Sequence, residues 1–464
     1  MSIQDLPDEL LLHIFKPFDN IQRYDDSFVS SNFVSANIPS AKTSENIKSL
    51  ASFSKVCVRW HRVIEPILYS TFTKPNNTGV KVHRQVYKPG YQAEPNKTLR
   101  LFLRTIIEQP RLAKNITKLL LGSWIETARQ QVSQNPSVKI APSAPDPSIR
   151  QTYVKALERL GRFTGSSARS RYIRSDNLWS GSNSCILGGD EGSELALLLL
   201  LAPNLRVLRL TQMPIFEEWM LPGVDGMTQT LSHLHKIELG TVYDSLEVYD
   251  HRLRMLMNLP SLETLTVINC HVLGCAHFGH PPSALTSLAF RYCTMDSRGF
   301  EHLTNHLRAI ESFEWTGMPQ WPFNWRWAPP DGVWTFLTRH KASLQSLRLT
   351  GEMYFDEMGP VTFKEFKSVE ELEINHTLLI HGDDLADQLP QSLRRFGIEG
   401  SPFPMLNKLV TLVNSRALQN LEKIDYGPVG FPANEQETTG LQKLEDICAR
   451  EGVVLRNAWN DEHE

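Results

Sequence analysis

The chain has 464 residues, of which 41% are hydrophobic and 21% charged, a composition that is typical of globular proteins and excludes wholesale disorder. Its 48 Lys and Arg residues nearly balance its 51 Asp and Glu residues, so charge alone gives no support for a nucleic-acid or polyanion binder. The longest apolar run, 195–202, is far shorter than the ~20 residues that span a bilayer, and the acidic N-terminus is unlike a signal peptide. The six cysteines form no paired framework. We therefore expect a soluble intracellular protein, cytoplasmic and/or nuclear, with neither a membrane nor a nucleic acid as its partner.

Short amphipathic helices are predicted at the N-terminus. Residues 6–15, LPDELLLHIF, have apolar side chains at helical spacing, with a proline and two acids in the first turn. Residues 50–72 carry two apolar stripes at the same spacing, one from Leu50 to Trp60 and one from Val63 to Leu68. The segment between them, 19–48, is rich in Ser and Asn and has no period, so we expect it to loop out. So small a helical unit makes a poor core by itself, and its apolar faces should need a partner.

The rest of the chain repeats one pattern. A strand-like triplet, apolar-x-x-apolar-x-apolar, recurs nine times at spacings of 23 to 34 residues, close to the period of leucine-rich repeats. We interpret these side chains as core, without chemistry of their own. The triplets are Leu205/Leu208/Leu210, Leu234/Ile237/Leu239, Leu262/Leu265/Val267, Leu285/Leu288/Phe290, Ile310/Phe313/Trp315, Leu344/Leu347/Leu349, Val369/Leu372/Ile374, Leu393/Phe396/Ile398 and Leu421/Ile424/Tyr426.

Between the triplets the apolar period changes from 2 to 3.6, which predicts a helix in each unit. Such stretches are Leu246–Met257, 300–307 and 333–337. Stacked strand–helix units bury a continuous core, so the pattern predicts an α/β solenoid of about ten to twelve units. Residues 123–192 break the rhythm, and we interpret them as an irregular insertion with one helix at 153–160. Outer units are predicted at Leu99–Ile107 with Ile116/Leu119/Leu121, and at Leu441–Ala449 with Val453–Leu455.

The N-terminal residues resemble the F-box. Two blocks match it in order, LPxELLxxIF from Leu6 to Phe15 and LxxxxxVCxxW from Leu50 to Trp60. With the repeats behind it, the chain resembles an F-box/leucine-rich-repeat protein, although the family usually joins the two blocks by a short loop. The resemblance implies an all-helical F-box-like domain at 1–75, with 19–48 inserted, and a leucine-rich-repeat horseshoe at 76–464. Contacts with a Skp-type adaptor would fall on Leu6, Pro7, Leu10, Ile14, Phe15, Leu50, Val56, Cys57 and Trp60.

One cluster has zinc-ligand residue types: Cys270, His271, Cys275, His277 and His280 lie within eleven residues. Their spacing is not a common structural zinc pattern. The repeat register gives a plainer interpretation, because Cys270 stands three places after Val267, where a small side chain turns inward and satisfies the backbone of a turn. We therefore expect no bound metal and no other cofactor.

The segment 314–334 is the second unusual stretch, with five of the ten tryptophans. It is either a locally packed loop over the adjacent repeat or a recognition rim, since clustered Trp has the composition of interface hot spots. In this region Trp321, Trp325 and Trp327 are candidate substrate contacts.

Strand alternation predicts which side chains line the concave face of the solenoid. The set is balanced, with six bases and six acids, which argues against recognition of phosphate alone, and it is equally compatible with a solvated face that binds nothing. Within it Arg291, Glu314 and Arg348 are candidate substrate contacts. The set is Arg209, Lys236, Glu238, Arg291, Glu314, Arg348, Glu371, Glu373, Arg395, Glu399, Lys423 and Asp425.

None of the common nucleotide-binding, metalloprotease or hydrolase motifs is present in the sequence, so we expect no catalytic residue in this chain. The resemblance implies a substrate-recognition subunit of an SCF (Skp–cullin–F-box) ubiquitin ligase, with the adaptor, through it a cullin, and an unidentified protein substrate as partners. Two alternatives stay open. The first alternative is a repeat scaffold that acts outside a ligase, with the N-terminal helices as its cap. The second is a zinc-dependent activity at 270–280.

Overall fold

The computed structural model of the chain describes residues 7–15, 48–74, 97–121, 147–164, 191–211, 231–240, 246–249, 253, 256–273, 283–295, 297–317, 330–351, 361–379, 384–401, 403–428 and 435–457. They fall into two compact units, Met1–Tyr243 with Leu259–Leu262, and Asp244–Asn258 with Glu263–Glu464. Each unit combines helices with parallel strands, which confirms the predicted α/β class. None of the described helices combines the length and the apolarity needed to cross a bilayer.

In the first unit, four parallel strands pair in chain order. They are β1 (Thr71–Lys74), β2 (Lys118–Leu121), β3 (Val207–Thr211) and β4 (Lys236–Gly240). The described helices of this unit are α1 (Asp8–Phe15), α2 (48–53), α3 (Val58–Ser70), α4 (Lys97–Glu108), α5 (Pro110–Ala113), α6 (Pro147–Thr164) and α7 (Glu191–Leu201). The predicted helices at 99–107 and 153–160 are thereby confirmed as parts of α4 and α6.

In the second unit, a larger parallel sheet consists of β6 (Thr264–Ile268), β8 (Ser287–Arg291), β10 (Ser312–Thr316), β11 (Ser346–Thr350), β12 (Glu371–Asn375), β13 (Arg395–Ser401), β14 (Lys423–Pro428) and β15 (Val454–Asn457). A smaller parallel sheet consists of β5 (Leu246–Tyr249), β7 (Cys270–Leu273) and β9 (Thr294–Met295). The helices here are α8 (Ser297–His306), α9 (Pro330–His340), a 3-10 turn at His376–Leu378, α10 (Leu385–Gln388), α11 (Phe403–Ser415) and α12 (Glu435–Glu451).

The apolar triplets form the core of both units, as predicted. All nine, and the outer triplet that ends at Leu121, have their last two side chains on strands and buried. Only Leu421, the first residue of the last triplet, stays partly exposed. In mid-sheet, Leu265 and Leu347 are at most 1% exposed. Period-2 burial on strands and period-3.6 burial on the helices therefore follow the sequence pattern.

One predicted helix is partly wrong. The stretch Leu246–Met257 begins with a strand, β5, whose backbone pairs in parallel with β7. Residues 256 and 257 are helical, as is 253. The β-branched and aromatic residues of LEVY suit a strand, and pairing with β7 overrides a helical period that only four positions supported.

Candidate functional site

The N-terminal helices share a small core. Its buried side chains come from α1, α2 and α3, and Phe15 and Trp60 meet edge to face with ring centroids 5.5 Å apart. Phe53 lies beside both rings. Trp60, one of the expected adaptor contacts, is therefore covered by aromatic neighbours of its own unit. The core consists of Leu11, Phe15, Leu50, Trp60, Val63 and Ile64.

Polar contacts fix the geometry of these helices. The Cys57 thiol accepts a hydrogen bond from the backbone N–H of Trp60 at 3.4 Å and so caps α3. Asp8, in the first turn of α1, accepts charge-assisted hydrogen bonds from Arg59 Nε at 2.7 Å and Arg62 Nη2 at 2.6 Å. The hydrogen bonds from Arg59 and then Arg62 lower the pKa of Asp8 below its usual value. The first turn of α1 is thereby fastened to α3.

Five large apolar side chains of this helical unit point into solvent. On α1, Leu10 and Ile14 are 48% and 43% exposed, one helical turn apart on the same face. Leu12, Val56 and Val58 are exposed as well, Val58 by 87%. Among the described residues, the core covers the Leu11/Phe15 side of α1 and leaves the apolar side chains of its other faces exposed. We call these five side chains the exposed apolar surface.

The nine predicted adaptor residues thus divide into two groups. Leu10, Ile14 and Val56 belong to the exposed apolar surface, and Pro7 beside them is exposed. By contrast, Phe15, Leu50 and Trp60 are buried in the core of the unit, where they support the helices but are not exposed to a partner. Cys57 is partly buried. Leu6 lies outside the described residues, as does the predicted inserted loop 19–48 except for its last residue, which begins α2.

Sequence reasoning missed Leu12 and Val58. Leu12 falls outside both helical stripes of α1, and Val58 is the first residue of α3. An apolar residue off the core stripe of a short helix is the signal that would have found both.

The predicted concave residues lie on the strands at the expected alternate positions, and many of them pair with one another. Arg209 lies 2.7 Å from Glu238 on the neighbouring strand, and Arg395 lies 2.6 Å from Asp425. Arg209 stands directly opposite Glu238 in the register, whereas Arg395 reaches Asp425 diagonally, because its own register partner is Lys423. In the second unit such contacts join Arg291, Glu314, Arg348 and Glu373 over successive strands, and we call them the charge ladder.

The central rungs of the ladder are the three predicted substrate contacts. Arg291 donates two hydrogen bonds to Glu314, from Nε at 2.7 Å and Nη2 at 2.8 Å. Arg348 lies 3.8 Å from Glu314 and donates from Nη2 to Glu373 at 2.5 Å. Burial alone would lower the pKa of Arg348, but the carboxylates of Glu373 and Glu314 outweigh it and raise the pKa above its usual value. Arg209, Arg291 and Arg348 therefore each have a neighbouring carboxylate that balances their charge.

The predicted inward cysteine position is confirmed. Cys270 and Cys293 are buried, and their thiols point to the carbonyl oxygens of Ile268 and Val267, each at 3.3 Å. Burial raises the pKa of the Cys293 thiol to about 12 and raises that of Cys270 as well. Within the described part of the chain, no group of His, Cys, Asp and Glu side chains has a metal-binding arrangement. The side chain of His271 lies outside that part, and so do the other possible zinc ligands, Cys275, His277 and His280. The predicted substrate contacts Trp321, Trp325 and Trp327 lie outside it as well.

A buried polar cluster in the first unit was not predicted. Glu194 of α7 is fully buried and accepts hydrogen bonds from Arg100 Nε of α4 at 2.8 Å and from the Tyr153 hydroxyl of α6 at 3.2 Å. Burial and the Glu194 charge raise the pKa of Tyr153 above its usual value. The cluster ties three helices together, and its signal in the sequence was one acid at the edge of the longest apolar run.

The chain matches no protein-family model, and no curated protein matches its sequence. The function proposed below therefore rests on the exposed apolar surface, the charge ladder and the sequence pattern.

Proposed function

We propose that this chain is a substrate-recognition subunit of an SCF-type ubiquitin ligase. In this proposal the N-terminal helices are an F-box, the strand–helix units are leucine-rich repeats, and a Skp-type adaptor links the chain to a cullin. The observation that carries the proposal is the exposed apolar surface, which lies over a small core that is already complete without it. Other subunits supply the catalysis, so this chain needs no nucleophile.

The exposed apolar surface offers side chains that a partner could bury, on helices that are already held in place. Burying a Leu, Ile or Val side chain completely stabilises a complex by about 1.5–3 kcal/mol, and half-exposed side chains retain about half of that. The Asp8 ion pairs and the aromatic core hold these side chains in place before binding, so little conformational entropy remains to be lost. Leu10 and Ile14, on one face of α1, are the expected hot spots.

For the substrate we propose the strand face with its charge ladder, together with the Trp-rich segment 319–330. In the second unit Arg291, Glu314, Arg348 and Glu373 present alternating charges on four successive strands, so a partner with the complementary order of charges would be selected over others. A tryptophan side chain has few rotatable bonds, and prolines restrict the backbone, so such a segment has little conformational entropy to lose on binding.

Adaptor capture by the full-length chain tests the proposal. Leu10→Ser and Ile14→Ser should each abolish or strongly reduce co-purification with a co-expressed Skp-type adaptor, because each removes about 2 kcal/mol of hot-spot contact. Leu101→Ser is the matched control, since Leu101 is 58% exposed on α4, outside the N-terminal helices. All three variants should melt as wild type does, because none of these side chains is in the core.

Undiminished capture by both α1 variants would remove the adaptor assignment. Trp60→Ala is not a suitable variant, because its ring lies in the core and its loss would unfold the helices themselves. In a second experiment, deletion of 319–330 should weaken substrate capture and leave adaptor capture unchanged. A deletion that melts normally and still captures every substrate would contradict the role of this segment.

A second candidate function is a repeat scaffold outside any ligase, with the N-terminal helices as its cap. One observation favours it: α3 runs directly into β1, and its Glu65 pairs with Arg111 of α5 at 3.0 Å. α3 is therefore part of the same packed body as the first strands. If the chain is a scaffold, its complexes contain no adaptor and are unchanged in Ile14→Ser. If it is a ligase subunit, Ile14→Ser loses the adaptor and the cullin together.

A further inference from the structure

A basic pocket lies in the first unit, at the edge of the sheet where the strands begin. Its volume is about 510 Å³, and residues that directly precede β1, β2 and β3 line it. Pockets of roughly 300–1,000 Å³ are the size that holds small molecules. The lining residues are Pro66, Ile67, Ser70, Lys114, Asn115, Thr117, Asn204, Arg206 and His233.

The charges around this pocket are of one sign. Lys114, Arg206 and His233 contribute two permanent cations and one imidazole, and none of the nine lining residues is acidic. No ion pair joins these three side chains to a carboxylate of the described residues. On the strand face, by contrast, Arg209 and Arg291 each have a carboxylate one strand away. The pocket therefore attracts negative charge that the strand face does not.

Hydrogen bonds between successive turns shape the pocket in advance. Asn204 donates from Nδ2 to the carbonyl oxygen of Lys114 at 2.7 Å, which joins the turn before β3 to the turn before β2. The backbone N–H of Arg206 donates to the carbonyl oxygen of Thr117 at 2.8 Å. The backbone positions of Lys114 and Arg206 relative to each other are thereby fixed, so a ligand has only the two side chains to order.

One feature of the pocket opposes an anion, and the structure offsets it. The C-terminal end of α3, at Ser70, carries partial negative charge on its carbonyl groups. The carbonyl oxygen of Ser70 already accepts two hydrogen bonds, from the Thr117 N–H at 2.8 Å and the Thr117 hydroxyl at 3.1 Å. The carbonyl oxygen of Ile67 accepts one from the Ser70 hydroxyl. These carbonyl groups are therefore already satisfied by donors of the chain itself.

We propose that this pocket binds a small phosphate-bearing molecule, with Lys114 and Arg206 on the phosphate oxygens. Guanidinium and ammonium groups are the side chains that bind phosphate most strongly, and the Asn115 amide supplies a neutral donor. Pro66 and Ile67 give the pocket an apolar wall for the rest of the molecule. This site is separate from the exposed apolar surface, so it does not depend on the adaptor role.

Calorimetric titration of the full-length chain tests the proposal, with inorganic pyrophosphate and glycerol phosphate as probes. Wild type should bind at least one of them, and Arg206→Gln and Lys114→Gln should each weaken that binding about tenfold, since each removes one charge-assisted hydrogen bond. Arg308→Gln is the matched control, because Arg308 is an exposed arginine of the second unit. Its affinity for the probe should equal that of wild type.

Several results would overturn the proposal. One is that wild type binds neither probe. Another is that Arg308→Gln loses as much affinity as the two pocket variants do, which would indicate that binding depends on net charge. A phosphoserine peptide serves as a third titrant, and binding of the peptide without either small probe would replace the small molecule by a protein segment. Because the lysine and arginine side chains are exposed, the melting temperatures of the variants should match wild type. Adaptor capture by Arg206→Gln should be normal, which separates this test from that of the adaptor surface.

Discussion

Two Arg–Glu pairs, one within the charge ladder and one outside it, differ in how far their side chains are exposed to water. Glu314 is 13% exposed and accepts two hydrogen bonds from Arg291, which is 20% exposed. Glu422 is 63% exposed and accepts two from Arg394, which is 53% exposed. The perturbation is the isosteric replacement of each glutamate, Glu314→Gln and Glu422→Gln.

The expected magnitudes follow from exposure. Hydrogen bonds to a charged group contribute about 1.5–3 kcal/mol when they are shielded from water, and pairs in solvent contribute far less. Glutamine retains one acceptor for Arg291 but leaves that guanidinium, and the neighbouring Arg348, without their shared charge. We therefore expect Glu314→Gln to lower the free energy of unfolding by about 2 kcal/mol, because its partners stay largely out of water. Glu422→Gln should produce no measurable change.

Urea unfolding followed by tryptophan fluorescence measures both differences. Trp315, the neighbour of Glu314 on β10, is 3% exposed and will report loss of the sheet. An Arg291→Met variant and the double variant complete a cycle that isolates the pair from the rest of the ladder. Added salt should reduce the Glu314 effect only slightly, since partly buried pairs are weakly screened. Equal losses in the two glutamine variants, or full suppression by salt, would refute the reasoning from burial.

Three further predictions concern stability. Leu265→Ala and Leu347→Ala should each cost about 2–5 kcal/mol in the same urea assay, and wild-type stability of either would contradict the strand register. Glu194→Gln should cost about 3–5 kcal/mol, because it leaves a buried arginine without its charge, and Tyr153→Phe should cost much less; the reverse order would refute the assignment of that cluster. Because burial raises the pKa of Cys293 from 9.0 to about 12, the folded state keeps a proton that the unfolded state loses, so stability should fall as pH rises from about 9 towards 12. Cys293→Ala should flatten that fall, and an unchanged pH profile would contradict it.

The strands were predictable because their signal is repeated. At Leu347 and Leu349 the triplet pattern, the strand and the burial agree, as they do at each of the other triplets. The alternate positions also followed, so Arg291 and Glu314 were placed on one face without coordinates. The salt bridges of these two residues were not predicted. A salt bridge between strands depends on which strands pair and in what register, and the spacing of the triplets alone does not give that.

The N-terminal surface was predicted less well for a different reason. Helical spacing identifies which side chains share a stripe, but it does not say whether the stripe faces the core or solvent. Leu10 with Ile14 and Leu11 with Phe15 have the same spacing. Only the structure shows that the second pair packs in the core with Trp60 and that the first pair is exposed. Likewise the pocket around Arg206 comes from four segments that are far apart in sequence, so no local pattern contains it.

The pairing order of the larger sheet has a consequence for how the protein is made. Its paired strands lie between 23 residues apart, as for Thr264 and Ser287, and 34 residues apart, as for Ser312 and Ser346. Contacts this close in sequence close small loops, and chains built from them fold faster than chains with distant strand pairs. Each new strand also finds its neighbour already synthesised. During translation this sheet can therefore grow one strand at a time from its N-terminal side, with one open edge to protect at each step.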